Sequence, residues 1–451
     1  MNAFKAYDIR GIYNRDFDRN DVYRIGFYLP QLMKTDKILV GRDVRNSSPE
    51  IFETLSYGIT DSGASVYDAG LATTPMIYYL TAREEFSASV MITASHNDSE
   101  YNGMKISGKN ATPIGYDTGL NQLEKLMQEK PVPEKKAGKI IPFNKKQTYL
   151  RFLENYQSNF SNLNLAIDCS NGMAGLFAEK LFGSEVKYLN LGMDGNFPGH
   201  PPNPLVEQNL KNLKQTVKLR NMDLGIIFDG DADRVMFVDE NGKFIRPDLF
   251  IALLGDYFLK GKTNEKVLID IRSSMAVRNR LESLGAEVHM WRVGRAYAAR
   301  KLKELDGLFG GELAGHYYYR DFFYSDSGLM TALIVLKIVS ELKNQGYSVS
   351  DYFNRINTYY NSGEINFKIE NKGQAMEAIK EHFSSNEELK NIYDFDGYRL
   401  EFEDWWFNIR PSNTEPYLRF IAEARSEGKL NNVSEKVHSI INKVKSLSDE
   451  D

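Results

Sequence analysis

Cysteine is almost missing from this chain: the single thiol, Cys169, excludes an internal disulfide framework and fits a reducing compartment. An excess of basic charge is missing too. Lys and Arg number 56 against 61 Asp and Glu, for a net charge of −5, which argues against nucleic acid or anionic lipid as a partner. No apolar run approaches the roughly 20 residues of a membrane helix, so no membrane partner is expected. The opening residues, Met1-Asn2-Ala3-Phe4-Lys5-Ala6-Tyr7-Asp8, put charge where a secretory signal would have its apolar region. A cytoplasmic location is expected. Low-complexity tracts are absent, and 42% hydrophobic with 26% charged residues excludes a disordered chain.

At 451 residues the chain exceeds one core, since domains commonly hold about 100–150 residues. Three stretches share one rhythm. The first predicts a strand at 38–40, a helix at 49–60, a strand at 64–67, a helix at 75–80 and a strand at 88–93. The second repeats it at 163–167, 172–181, 186–189, 206–219 and 224–228, and the third at 267–269, 276–284, 287–290, 297–305 and 308–309. Short apolar runs alternating with helix-length segments predict βαβ units.

From about residue 365 the pattern changes to a helix at 374–383, strands at 398–402, 406–409 and 418–424, and a helix at 433–444. The expected fold class is α/β: three consecutive similar α/β domains with mixed, mostly parallel sheets, plus a smaller C-terminal α+β domain. Boundaries are expected at 1–140, 141–245, 246–360 and 361–451, with linkers at 130–139, around 244–247 and at 357–364.

Each repeat ends in a polar, turn-prone segment: Ala94-Ser95-His96-Asn97, Asp229-Gly230-Asp231 and Gly310-Gly311-Glu312. Ligands in open α/β sheets collect beyond the carboxyl ends of strands, so the three segments predict one shared site in a central cleft. Asp229, Asp231 and Asp233 repel one another unless a cation sits among them, and hard oxygen ligands suit Mg²⁺ or Ca²⁺. An EF-hand fails because Arg234 stands where its loop needs glycine, and because both flanks look like strands. A solvated acidic turn is the plainer alternative.

Ser95, beside His96 and near Lys105, has the composition of a nucleophile or phosphate carrier, although a capping serine in a polar turn has it too. The glycines at 310 and 311 let backbone approach a ligand, and Glu312 can accept from adjacent sugar hydroxyls. The turn Arg410-Pro411-Ser412-Asn413-Thr414, with Arg419 beyond, has the donors of a dianion cradle.

Together the four segments resemble the α-D-phosphohexomutase family, in its phosphomannomutase/phosphoglucomutase branch. The resemblance spans nearly the whole chain, from Lys5-Ala6-Tyr7-Asp8-Ile9-Arg10-Gly11 through Gly41-Arg42-Asp43 and Asp194-Gly195-Asn196-Phe197-Pro198 with Asn203-Pro204 to the Arg410 turn. It implies interconversion of hexose 1-phosphate and hexose 6-phosphate, of mannose or glucose, through a phosphoserine and a hexose 1,6-bisphosphate that is intermediate and activator.

The domains would then serve as phosphoserine, metal-binding, sugar-recognition and phosphate-binding units in chain order. Ser95 would be the phosphorylated serine, with His96, Lys105 and Arg10 as catalytic partners. Asp229, Asp231 and Asp233, with an oxygen on Ser95, would hold Mg²⁺. Tyr7, Arg234, Arg272, Arg295, Glu312, His316, Arg410, Ser412, Asn413, Thr414 and Arg419 would bind the phosphosugar. The partners are small phosphosugars, and the protein is expected as a monomer or homodimer.

Three positions depart from the family pattern: Asp98 replaces a proline, Ala314 a serine, and Arg295 stands where a relative has histidine. A phosphoglucosamine mutase, a catalytically silent sugar-phosphate sensor and a metal-dependent phosphatase are the other readings.

Overall fold

The computed structural model describes residues 3–412 and 417–448. Three sheets follow one plan, in which a parallel set of strands is extended by antiparallel neighbours. In the first, Lys37–Arg42 pairs in parallel with Ser65–Leu71 and Ala88–Ile92, and Tyr101–Gly108 then runs antiparallel to Ala88–Ile92 and Ile9–Ile12. In the second, Leu165–Asp168 lies between Lys187–Leu189 and Leu224–Phe228, and Val235–Asp239 returns antiparallel. In the third, Lys266–Asp270 pairs in parallel with Glu287–Trp291 and Phe309–Gly311, and Tyr317–Tyr319 returns.

In every sheet the loop from the last parallel strand to the first antiparallel one is a segment singled out in the sequence: 93–100, 229–234 and 312–316. Equivalent topology therefore delivers three different chemistries to one place. The fourth sheet is antiparallel, with Tyr417–Ala424 next to Trp405–Pro411, and the helices Lys372–Asn386 and Glu427–Ser448 complete that unit.

The residues around 244–247 are not a linker. Phe244–Ile245 is a strand, and Pro247 begins the helix Pro247–Phe258, because a proline in the first turn needs no hydrogen-bond partner for its nitrogen. The segment 172–181 is a 3₁₀ turn, Met173–Leu176, followed by the short helix Ala178–Phe182.

One continuous apolar core joins the first three units, including Met76, Ile77 and Leu80 of the first and Leu249 to Leu254 of the third. The helix Gly328–Asn344 runs through it with twelve buried residues. The fourth unit has a separate core of its own. It meets the third mainly through polar groups: Arg246 Nη1 lies 2.9 Å from Glu423, and Arg399 Nη1 donates to the carbonyls of Ile271 and Ser273 at 2.7 and 2.8 Å. Among the described residues no helix is long and apolar enough to cross a membrane.

Candidate active site

Ser95 sits on a tight loop with φ +52°, left-handed backbone that a side chain adopts at a cost of about 1 kcal/mol. Its N–H donates to Thr93 Oγ1 at 2.9 Å. What holds the loop is Arg45, buried, whose guanidinium donates to the carbonyls of Ser95, Asn97, Asp98 and Tyr101 at 2.6–3.0 Å. Its Nε donates to Asp43, which also accepts from Ser48, and it stacks on Phe197 with 4.9 Å to the ring centroid. The motifs around Asp43 and Asn196 thus meet at one arginine.

Arg45→Met would take one donor from each of four carbonyls and leave Asp43 without its counter-charge in the interior. We expect a loss of about 3–5 kcal/mol in urea unfolding.

The serine loop lies directly against the aspartate loop. A Cβ on Gly230 would fall 2.5 Å from the Ser95 carbonyl oxygen, so glycine is required there. Ser95 Oγ donates to Asp229 Oδ2 at 3.0 Å, and His96 Nδ1 is 3.5 Å from the same Oγ. Asp229, Asp231 and Asp233 are fully buried, and one oxygen of each lies within 4.8 Å of the others.

Burial and the charges of Asp233 and Asp231 push the Asp229 carboxyl well above its ordinary range. Burial also works against the charged form of Asp233, but Lys105 and His316 outweigh it and hold Asp233 low. Lys105 Nζ bridges Asp231 and Asp233 at 2.7 and 2.6 Å. Asp231 Oδ1 and Asp233 Oδ1 are buried without a hydrogen-bond partner among the described residues. Crowded carboxylates with unused lone pairs fit a hard divalent cation.

A cavity of about 180 Å³ opens beside this cluster. Tyr7, Arg10, Lys105, Asp233, Arg234, Arg295, Glu312, Ala314 and His316 are among the residues that line it. Arg10 Nη1 donates to Asn97 Oδ1 at 2.9 Å and pairs with Asp8. Tyr7 packs on Gly294, where a Cβ would lie 2.7 Å from the ring. Burial, with Arg234, Arg10 and Lys105 nearby, pushes His96 well below its ordinary value, so it is neutral at neutral pH.

Glu312 accepts from Tyr318 Oη at 2.5 Å and from the Gly294 N–H at 3.1 Å, and burial raises its carboxyl. Arg295 lies over the Tyr78 ring and donates to Asp326 Oδ1 at 2.9 Å; Asp326 Oδ2 is 2.6 Å from His316 Nδ1.

A second group forms away from that cavity, where Arg272, Arg410 and Arg419 converge on Glu364. Ser412 is buried beside them in sequence, and its N–H donates to the Tyr417 carbonyl at 2.8 Å. Asn413 and Thr414 lie outside the described residues.

Sequence reasoning missed Arg45, Thr74, whose N–H donates to the Asp231 carbonyl at 3.0 Å, Asp326 and Glu364. Asp326 precedes the N-cap Ser327 and reads as part of a helix start. The Asp98 side chain is exposed, so its charge faces solvent, while its carbonyl remains bound to Arg45.

A serine hydroxyl against a crowded aspartate cluster, with a cavity lined by arginines and a glutamate, has the groups that phosphoryl transfer calls for. Comparison with known proteins agrees. The four units described as phosphoglucomutase/phosphomannomutase alpha/beta/alpha domains I, II and III and C-terminal domain match residues 1–132, 147–242, 246–359 and 364–439.

The chain is 35% identical to a phosphomannomutase of Methanocaldococcus jannaschii, over 98% of each chain. It is 34% identical to one of Escherichia coli K12, over 95% of this chain and 96% of that one. A phosphoglucomutase/phosphomannomutase family protein of Burkholderia thailandensis superposes with a TM-score of 0.87 at 25% identity, over 98% of each chain.

The chain belongs to the phosphoglucomutase/phosphomannomutase family. It is an intramolecular phosphotransferase that interconverts hexose 1-phosphates and hexose 6-phosphates.

Proposed function

We propose that Ser95 carries the phosphoryl group, that Asp229, Asp231 and Asp233 hold Mg²⁺ beside it, and that mannose or glucose phosphates are the substrates. The observation behind this is the 3.0 Å contact of Ser95 Oγ with Asp229 at the wall of an arginine- and glutamate-lined cavity. The mannose preference draws on the names of the relatives from M. jannaschii and E. coli. In this reading the four units, divided near residues 140, 245 and 360, supply serine, metal ligands, sugar contacts and phosphate cradle in turn.

Phosphoryl transfer passes through a loose transition state, so catalysis is positioning and charge stabilisation. When bound, Mg²⁺ draws off the charge that develops on the seryl leaving oxygen. Lys105, on the strand next to the serine loop, and Arg10 add positive charge at the phosphoryl oxygens.

Glu312, fixed by Tyr318 and Gly294, accepts from neighbouring ring hydroxyls. Asp326 orients His316, which sits where a proton must leave and rejoin the sugar oxygen. Arg410 and its neighbours hold the phosphate that is not reacting. Transfer from Ser95 yields a hexose 1,6-bisphosphate, which exchanges its ends between cradle and serine before the reverse transfer regenerates the phosphoserine.

Arg410→Gln removes charge-assisted donors to the idle phosphate. We expect KM for hexose 1-phosphate to rise about 10–100-fold, with a smaller change in kcat. An unchanged KM would remove Arg410 from the cradle.

A further inference from the structure

The arginine cradle already carries an anion from its own chain. Glu364 lies just before the strand Ile365–Lys368, where the chain crosses from the third unit to the fourth. Its Oε1 is 3.1 Å from Arg419 Nη1, and its Oε2 is 3.4 Å from Arg410 Nη2 and 3.5 Å from Arg272 Nη1. One carboxylate therefore bridges guanidiniums from two units. Arg272 and Arg410 are buried, whereas the Glu364 side chain is 24% exposed.

The cradle keeps donor capacity that Glu364 does not use, since Arg410 Nε is buried and has no acceptor among the described residues. Burial and the Arg272 charge push the Arg410 guanidinium below its ordinary value, and Glu364 opposes that shift.

Carboxylate and phosphate recognise the same guanidinium N–H groups, so Glu364 and a substrate phosphate compete for them. Asp270 also pairs with Arg272 at 2.8 Å. Removing Glu364 would take one negative charge from beside three guanidiniums, which favours a phosphate dianion there.

We propose that Glu364 is an internal competitor for the phosphate cradle, holding its arginines in place between substrates and weakening their grip on phosphate. The proposal rests on the cradle reading given above. The bisphosphate must let go of the cradle once in each turnover to exchange its ends. A carboxylate that returns to the arginines makes that release easier. Removing it strengthens binding of every phosphate state alike, which lowers KM without aiding the chemical step, and it slows the exchange, which lowers kcat.

The test is calorimetric titration of the full-length protein with inorganic phosphate, with chelator present so that the aspartate cluster repels the anion. Glu364→Gln is expected to tighten phosphate binding about tenfold and to lower both KM and kcat in turnover, while Arg410→Gln weakens binding. If Arg410→Gln weakens binding and Glu364→Gln leaves it unchanged or weaker, the cradle stands and the competitor role is overturned. If neither variant alters phosphate binding, the cradle reading fails and the competitor role fails with it. Glu364→Asp, which draws the carboxylate back by one methylene, is expected to fall between wild type and Glu364→Gln; binding no tighter than wild type would contradict the proposal.

Discussion

Replacing Ser95 with alanine is expected to lower mutase turnover by at least about 10³-fold, because the proposed covalent carrier of the phosphoryl group is lost. Phosphosugar affinity should stay within about threefold, since the arginines and Glu312 proposed to grip the substrate are untouched. The fold should survive as well. The Ser95 hydroxyl bonds Asp229 at 3.0 Å and makes a long contact of 3.5 Å to His96, while Arg45 binds the loop through main-chain carbonyls that alanine keeps. Steady-state rates and substrate titration separate the two effects. Equal losses in binding and turnover would mean that Ser95 shapes the pocket rather than carrying phosphate.

The second large effect concerns the aspartates. Chelation is expected to abolish turnover and added Mg²⁺ to restore it, and Asp229→Asn should lower kcat by about 10²-fold or more even at high Mg²⁺. Stability should behave differently. In the metal-free protein, burial and two neighbouring carboxylates raise the Asp229 carboxyl well above its ordinary range. A carboxyl whose folded-state pKa is raised adds stability below its unfolded pKa, and that contribution is lost as pH rises through the folded value.

The metal-free wild type should therefore lose stability as pH climbs past the usual carboxylate range, and Asp229→Asn should lose less. Mg²⁺ should stabilise the wild type by about 2.7 kcal/mol at one hundred times its dissociation constant, and the variant far less. Thermal unfolding across pH, with and without Mg²⁺, reads all of this. Equal Mg²⁺ stabilisation of both proteins would place the cation elsewhere.

The parts of the site legible in the sequence were those concentrated in one short stretch. Asp229, Asp231 and Asp233 stand out because carboxylates at that spacing repel one another unless positive charge sits among them, and the glycines before Glu312 mark a close backbone approach. The order of the parallel strands was legible for the same local reason, as short apolar runs between helix-length segments.

What stayed hidden depends on distance along the chain. Arg45 holds a loop some fifty residues away, so nothing near it distinguishes it from a surface arginine. Glu364 sits in what reads as a linker, and its partners Arg272 and Arg410 are contributed by other strands and loops. The helix Gly328–Asn344 is apolar on nearly every side, so the 3.6-residue stripe that betrays a surface helix is missing. Asp98 puts a charge on the serine loop, and only the fold shows it turned toward solvent.

The most direct measurement follows the phosphoryl group itself. Purified protein charged with hexose 1,6-bisphosphate in Mg²⁺ should gain the mass of one phosphoryl group, and peptide mapping should place it on Ser95. Addition of hexose 6-phosphate should remove it and return an equivalent of bisphosphate. A phosphoryl group on another residue, or its release as inorganic phosphate in step with substrate loss, would contradict the account.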